Sequence, residues 1–417
     1  MRLFNLAMTA LLASARATPS KSNPAMEFSF NDTGLIGQQQ DHGKIAPKVV
    51  IISMFDPEAD VWYENLPNTP LGDILANNIS IPGLSPLYPY AHCTKNGDVC
   101  QITAGEAEIN AATTTMAFVL SDQFDLRKSY FLLAGIAGIS PKMGTLGSVA
   151  LSRFSVQVAL QYEIDAREMP ANFSTGYLPY GAYMPYDYPS IFYGTEVMEV
   201  NENLRDAAAE LAARAQLVTS TDAADYCEYY REGGETYAPA TAGPGVIKCD
   251  SATSDVYFSG VLLSEAFENT TKSWTNQNSA VLQSLMRAAV SGLVDFSRTI
   301  LMRTGSDFDR PPPSISAFQH LRLLDQNGFE ISIQNLYLAG FEIVQGIIAD
   351  WDPTYNDGVK PTNYLGDILG TLGGQPDFGP GSVFDGVGAS SAFDMATNPI
   401  KRSLKIRRQG RRAGGWK

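Results

Sequence analysis

Ser129-Tyr-Phe-Leu-Leu-Ala134, running into Gly135-Ile-Ala-Gly138, is the stretch that decides the fold. It is apolar and uncharged from Tyr130 to Ile139. That suits a strand covered on both faces rather than one with a wet side. Val49–Phe55 and Val256–Leu263 are runs of the same kind. Around them the pattern predicts further strands at Lys48–Phe55, Val99–Ala104, Gly147–Val158, Val256–Ser264 and Thr299–Arg303, the last leading into Gly305-Ser306-Asp307. Helices are predicted at Glu108–Leu120, with Ile109, Ala112, Met116 and Val119 near helical spacing, and at Asn203–Leu217, Ser279–Leu293 and Gln334–Trp351. Strands alternating with helices indicate a layered α/β domain. Thr175–Tyr193 is dense in Tyr, but Pro179, Pro185 and Pro189 interrupt any ladder, so a loop is expected there.

The chain has 417 residues, enough for two to three ordinary domains or one large α/β domain with insertions. Its formal charge is −14, but the eight basic residues of Lys401–Lys417 mask a more acidic body. A body of that sign repels phosphate backbones, so no nucleic-acid partner is expected. At the other end Arg2, the apolar Leu3–Leu12 and the small-x-small Ala15-Arg16-Ala17 form an export-signal pattern. The three apolar runs quoted above are shorter than the roughly 18–20 residues of a spanning helix, so no membrane span is expected after signal cleavage. The expected organisation is a signal peptide at 1–17, a flexible lead-in at 18–46, a folded domain at 47–362, and a Gly-rich then basic disordered tail at 363–417.

Export agrees with two further features. Four cysteines form two local pairs, Cys93 with Cys100 and Cys227 with Cys249, and in an oxidising compartment these pairings are the expected ones. Four N-x-S/T sequons, at Asn31, Asn78, Asn172 and Asn269, mark expected glycosylated surface loops. A secreted or extracellular location follows, cell-wall association included. Neither a nucleophile-elbow pattern nor a Walker or dinucleotide glycine pattern is present. His42, His92 and His320 are scattered without metal-ligand spacing and read as structural or exposed residues. No metal and no cofactor is expected.

Several segments, in order, carry a resemblance. They are Lys48-Val-Val-Ile-Ile-Ser-Met-Phe-Asp-Pro-Glu58, Gln101-Ile-Thr-Ala-Gly-Glu-Ala-Glu-Ile-Asn110-Ala-Ala-Thr, Tyr130–Gly138, Gly260-Val-Leu-Leu-Ser-Glu265-Ala-Phe267 and Arg303-Thr-Gly-Ser-Asp307-Phe-Asp309-Arg-Pro. Over about Lys48 to Pro361 the chain resembles the nucleoside phosphorylase and nucleosidase superfamily. The Ile-Ser-Met-Phe segment, Glu163-Ile-Asp-Ala-Arg-Glu168 and the last segment look like its branch of fungal and bacterial purine nucleoside permeases. The resemblance implies a three-layer αβα sandwich around a mixed central sheet. It also implies a purine nucleoside ligand (adenosine, guanosine or inosine) and a homo-oligomer, since superfamily relatives form dimers, trimers or hexamers.

Cleaving a purine N-glycosidic bond makes an oxocarbenium-like sugar and a base that leaves well only when a ring nitrogen is protonated. The resemblance makes Asp307 that acid, with Ser306 beside it. On local pattern alone the two residues read as a helix cap. Glu58 matches a carboxylate that holds attacking water, and otherwise reads as an exposed loop carboxylate. Gly135 lies at the Gly-x-Ala-Gly strand end. Phe267 matches an aromatic stacked on the base, and otherwise reads as a core Phe. At the ribose hydroxyls, where the superfamily has Glu, the alignment puts Asn278 with Gln277 beside it; Asn bonds a diol without the strengthening charge. Ala59 and Leu133 stand where phosphorylases supply phosphate arginines, which favours water, although Arg167 or Arg310 could substitute. The expected function is an exported purine nucleoside-binding protein that supports nucleoside uptake, with a secreted purine nucleosidase as the alternative and a phosphorylase disfavoured.

Overall fold

The computed structural model describes residues 43–185, 187, 189, 191–256, 273–275, 277–376 and 378. Thirteen strands are present among them: β1 (Val49–Ser53), β2 (Asn77–Ser80), β3 (Tyr90–Cys93), β4 (Val99–Thr103), β5 (Tyr130–Ile139), β6 (Val149–Gln157), β7 (Gln161–Glu163), β8 (Tyr177–Pro179), β9 (Val197–Glu199), β10 (Val246–Thr253), β11 (Ser273–Thr275), β12 (Thr299–Phe308) and β13 (Gly366–Asp367). The α-helices are α1 (Asp56–Asn65), α2 (Glu108–Val119), α3 (Glu202–Ala212), α4 (Thr221–Glu228), α5 (Asn278–Val290), α6 (Ala317–Arg322) and α7 (Phe329–Ala349).

Eleven strands form one mixed sheet, in the order β13-β9-β6-β10-β11-β5-β1-β4-β3-β2, with β12 paired to both β5 and β6. β1, β4, β5 and β12 are mutually parallel, so their carboxyl ends share one edge. Successive residues of β1 point to opposite faces. Val50 and Ile52 join a core with Phe131, Leu133 and α2 and α5 residues. Val49 and Ile51 join a second core with Leu132, Trp62 of α1 and residues of α3 and α7. Two cores on the two faces of one sheet make the expected three-layer αβα sandwich. Because both faces are covered, every residue of β1, β4 and the first half of β5 is buried.

Some local expectations shift. The stretch after Met54 begins α1 rather than a loop. Pro57 in the first turn and the acids Asp56 and Glu58 beside it are helix-start features, since Pro needs no N–H there and acids suit the positive end. α2 forms where expected but buries Ala111, Thr114, Thr115 and Phe118, leaving Ile109 77% exposed. β12 runs five residues beyond Arg303 because β5 continues beside it to Ile139. Within the Tyr-rich segment, β8 pairs with β7, and Tyr180 packs edge-on against Tyr162 and Tyr193. The stretch expected to be tail supplies β13, which closes the sheet against β9 with Asp367 buried. The strand expected at 256–264, the signal at 1–17 and the segment with Phe267 lie outside the described residues.

α7 is long and apolar enough to cross a membrane by length and composition. Here its Leu336, Ala339, Ile343, Val344 and Ile347 are fully buried in the core shared with β1, β5 and β12. Helices of a protein core pass the same test as spanning helices.

Cys93 and Cys100 face each other across β3 and β4 and are joined in a disulfide. The pairing of Cys227 with Cys249 does not form. Cys227 on α4 lies 3.2 Å from Thr145 Oγ1, whereas Cys249 on β10 lies 3.4 Å from Ser152 Oγ on β6. The twenty-one residues between them fold into elements of their own rather than a closed loop, so the two thiols meet different neighbours. Denatured without reduction, the protein is therefore expected to alkylate two thiols, at Cys227 and Cys249. Replacing Cys93 and Cys100 with Ser is expected to cost about 2–3 kcal/mol in urea unfolding, and replacing Cys227 with Ser is expected to leave the Cys93–Cys100 bridge intact by mass.

Candidate functional site

β1 stops at Ser53, opposite the middle of β5, which leaves one edge of β5 open from Ala134 to Ala137. A backbone N–H there needs a partner. Glu58, one turn into α1, supplies it. Ile136 N donates to Glu58 Oε1 at 2.7 Å, and Met54 N donates to Oε2 at 2.7 Å. Glu58 is 1% exposed, so it is not the loop carboxylate of the alternative reading. Burial pushes its carboxyl up to about 7, against the pull of Arg303 and of the two backbone donors.

Arg303 is the residue that sequence reasoning passed over. It sits in β12, 1% exposed, and meets Glu58 above Gly135. A Cβ on Gly135 would lie 2.1 Å from Arg303 Nη1 and 2.6 Å from Glu58 Oε1. Only glycine leaves room for both groups. Burial lowers the guanidinium pKa to about 10, with Glu58 opposing the fall, so Arg303 stays charged at neutral pH. A lone Arg directly after the apolar run Ile300–Met302 is the signal that could have found it, because Arg is rarely buried without a task.

Asn278, at the start of α5, turns both donors on one side of Arg303 to its own oxygen: Nε and Nη2 donate to Asn278 Oδ1 at 3.1 and 2.6 Å. Asn278 is fully buried, and its oxygen is spent on Arg303 rather than free for a sugar. Two buried donors remain without a partner among the described residues, Asn278 Nδ2 and Arg303 Nη1. Leaving such groups unpaired costs about 1–3 kcal/mol each. A ligand oxygen or a water is the natural partner. Gln277 is buried beside them as the residue before α5.

Asp307 stands at the far end of the same strand. Pairing between β12 and β5 slips by one residue there: Gly305 faces Ala137 and Asp307 faces Gly138, with Ser306 as the extra residue. Such a bulge re-aims the side chains that follow it. Ser306 Oγ lies 2.7 Å from Asp307 Oδ1 and 3.3 Å from Ala137 O. Its single proton favours the closer, charge-bearing acceptor. Asp307 is in strand, so the helix-cap alternative does not apply. Desolvation pushes its carboxyl up to about 6, against the Ser306 hydrogen bond and aided by Asp309. Ser306 and Asp307 line a cavity of about 640 Å³ together with His320, Leu324, Gln326 and Phe329.

The other candidates fall elsewhere. Ala59 and Leu133 are core residues. Arg167 is exposed and paired with Asp165, and Arg310 is paired with Asp309, so neither replaces a phosphate arginine. Asn78 and Asn172 are exposed, Asn78 Oδ1 accepting from His92 Nδ1 at 2.6 Å; Asn31, Asn269 and His42 lie outside the described residues. No group of metal-ligating residues is present among the described residues.

The crowding over Gly135 yields a direct expectation. Gly135→Ala should destabilise the protein by about 1–3 kcal/mol in urea unfolding, the usual cost of overpacking. The exposed Gly243→Ala, with open space around it and no left-handed φ, is the control expected to leave stability unchanged.

Residues 46–360 match the family described as purine nucleoside permease (NUP). The chain is 44% identical over 349 residues to a purine nucleoside permease of Candida albicans, covering 80% of this chain and 83% of that one. It is 37% identical over 336 residues to a probable purine nucleoside permease of Schizosaccharomyces pombe, covering 76% and 93%. Among solved structures, a 5′-methylthioadenosine/S-adenosylhomocysteine nucleosidase of Neisseria meningitidis aligns with a TM-score of 0.42 at 14% identity, covering 72% of this chain and 99% of that chain. A futalosine hydrolase of Helicobacter pylori aligns at 0.41 and 14%, covering 71% and 98%. With a family match over most of its length and relatives of this identity, the chain belongs to the purine nucleoside permease family.

Proposed function

We propose that the protein binds a purine nucleoside outside the carboxyl ends of β1, β5 and β12 and hydrolyses its N-glycosidic bond, acting from an exported position in support of nucleoside uptake. The observation that carries the chemistry is the meeting of Glu58 and Arg303 over Gly135, with Asp307 on the same strand as Arg303. Ligands of open α/β sheets sit in the crevice at this edge. Adenosine, guanosine and inosine are the nucleosides proposed.

The steps balance with these groups. Arg303 Nη1 and Glu58 hold a water, and Glu58 takes its proton as the oxygen attacks the anomeric carbon. The electrons of the C–N bond pass to the purine, and the Asp307 carboxyl gives its proton to a ring nitrogen. The products are free sugar and free base. The Glu58 proton then returns to Asp307 through solvent. A phosphate dianion would need spare cationic partners, and the positive charge of Arg303 is balanced by Glu58.

Binding and delivery without turnover is the second reading, and Asn278 favours it. A neutral amide whose oxygen is already engaged gives a sugar less transition-state stabilisation than a carboxylate. The exported position draws support from the signal pattern at 1–17, the Cys93–Cys100 disulfide and the exposed sequons Asn78 and Asn172.

Product analysis with inosine, adenosine and guanosine, with and without phosphate, is the test. Free base and free ribose without phosphate are expected. Ribose phosphate formed only with phosphate, or no turnover with nucleoside bound, would each overturn the hydrolytic reading. Asp307→Asn should lower kcat by roughly 10²–10⁴-fold, the usual share of a general acid, while the nucleoside Kd changes less.

The pH profile has a definite sign. Glu58 must be ionised, which fails as pH drops below about 7, and Asp307 must be protonated, which fails as pH rises above about 6. The product of the two fractions is a bell in kcat/KM with its maximum between them, whichever microscopic group holds the proton. A profile still rising at pH 8 would exclude Asp307 as the acid.

A further inference from the structure

Residues 221–241 take no part in the chemistry above, yet they pack on the strand that carries Asp307. Tyr226 of α4 lies with its hydroxyl 2.7 Å from His320 Nδ1. His320 Nε2 lies 2.8 Å from the carbonyl of Phe308, the residue after Asp307. The Phe308 N–H donates to Gln326 Oε1 at 2.7 Å, and Tyr230 Oη donates to the Arg310 carbonyl at 2.5 Å. His320 is 2% exposed and lines the cavity beside Asp307.

These contacts fix the imidazole completely. A backbone carbonyl only accepts, so Nε2 carries the ring proton and donates to Phe308 O. In the neutral ring Nδ1 then accepts, and Tyr226 donates to it. Burial favours that neutral form. The carboxyl of Asp307 follows directly on a bulge, where the ladder holds the backbone least tightly. Both polar groups of the next residue are instead gripped from outside the sheet, by two side chains of the segment that follows β12.

On the footing that Asp307 is the acid proposed above, we propose that His320, aligned by Tyr226, is a positioning residue that holds the Asp307 carboxyl toward the cavity through the Phe308 carbonyl. Misplacing a reacting group by about 1 Å costs on the order of a hundredfold in rate without touching the chemistry itself. The α4 segment thereby becomes a brace for the acid rather than a surface insertion.

The test compares His320→Leu, His320→Gln and Tyr226→Phe in the full-length protein. Leu removes the donor to Phe308, whereas the Gln amide can restore it. His320→Leu is expected to lower kcat about tenfold to a hundredfold with little change in KM, the signature of a contact that matters in the transition state. His320→Gln should recover most of that loss, and Tyr226→Phe should fall between. Hydrogen exchange at the Phe308 amide should quicken in His320→Leu and return to the native rate in His320→Gln. Equal losses of kcat and of melting temperature in the Leu and Gln variants would overturn the proposal in favour of packing alone. If the native protein binds nucleoside without turnover, the hydrolytic reading fails by itself. Phe308 exchange and nucleoside Kd then decide the role of His320: unchanged exchange in His320→Leu overturns it, and faster exchange rescued by Gln upholds it.

Discussion

A carboxylate and a guanidinium brought out of water into one small space over Gly135 set the terms for everything around them. Each alone would cost several kcal/mol to bury, and only their mutual attraction and hydrogen bonds offset it. That constraint explains the local architecture. β1 ends early and α1 turns back over the sheet, so that Glu58 can meet the open N–H of Ile136. Asn278 is placed at the start of α5 to accept two donors of Arg303. The strand beneath carries no side chain at position 135.

The pair also gives the sheet edge its polarity. Arg303 and Asp307 lie four residues apart in one strand, and the bulge at Ser306 separates their surroundings. On one side of the bulge a cation and an anion are balanced and leave a spare donor. On the other a carboxyl is desolvated and raised, with the Ser306 hydroxyl stabilising its charge. Two carboxyls, Glu58 against Arg303 of β12 and Asp307 within that strand, thus stand in different environments, which is what the proposed separation of proton acceptor from proton donor requires. The His320–Phe308–Gln326 contacts extend that order outward from the bulge, where the backbone would otherwise be least constrained.

Much of the fold was legible in the residues. Uninterrupted apolar runs such as Tyr130–Ile139 read as strands buried on both faces, and that is where the sheet centre lies. Other parts needed the third dimension. The face of α2 was only partly legible: Val119 is buried, but Ile109 is exposed and Ala111, Thr114, Thr115 and Phe118 complete the buried side, because packing against α5 rather than hydropathy alone sets the face. Tail residues Gly366 and Asp367 join the sheet through backbone pairing with β9, to which composition is blind. The Cys227–Cys249 pairing followed from proximity in sequence, and failed because α4 and β10 carry the two thiols to different neighbours.

By itself the sequence determined the layered α/β class, through apolar runs alternating with helical periods, and the family, through motifs whose order along the chain resembles it. Tertiary structure alone decided that Arg303 faces Glu58, that Asn278 spends its oxygen on that arginine, and that His320 reaches the backbone beside Asp307. Those contacts join residues far apart in the chain, from 58 to 303 and from 226 to 320. Their energies depend on burial and distance, and neither is written in the identity of a residue. Burial turns an ordinary carboxylate into one that titrates near neutrality, and only the fold supplies burial.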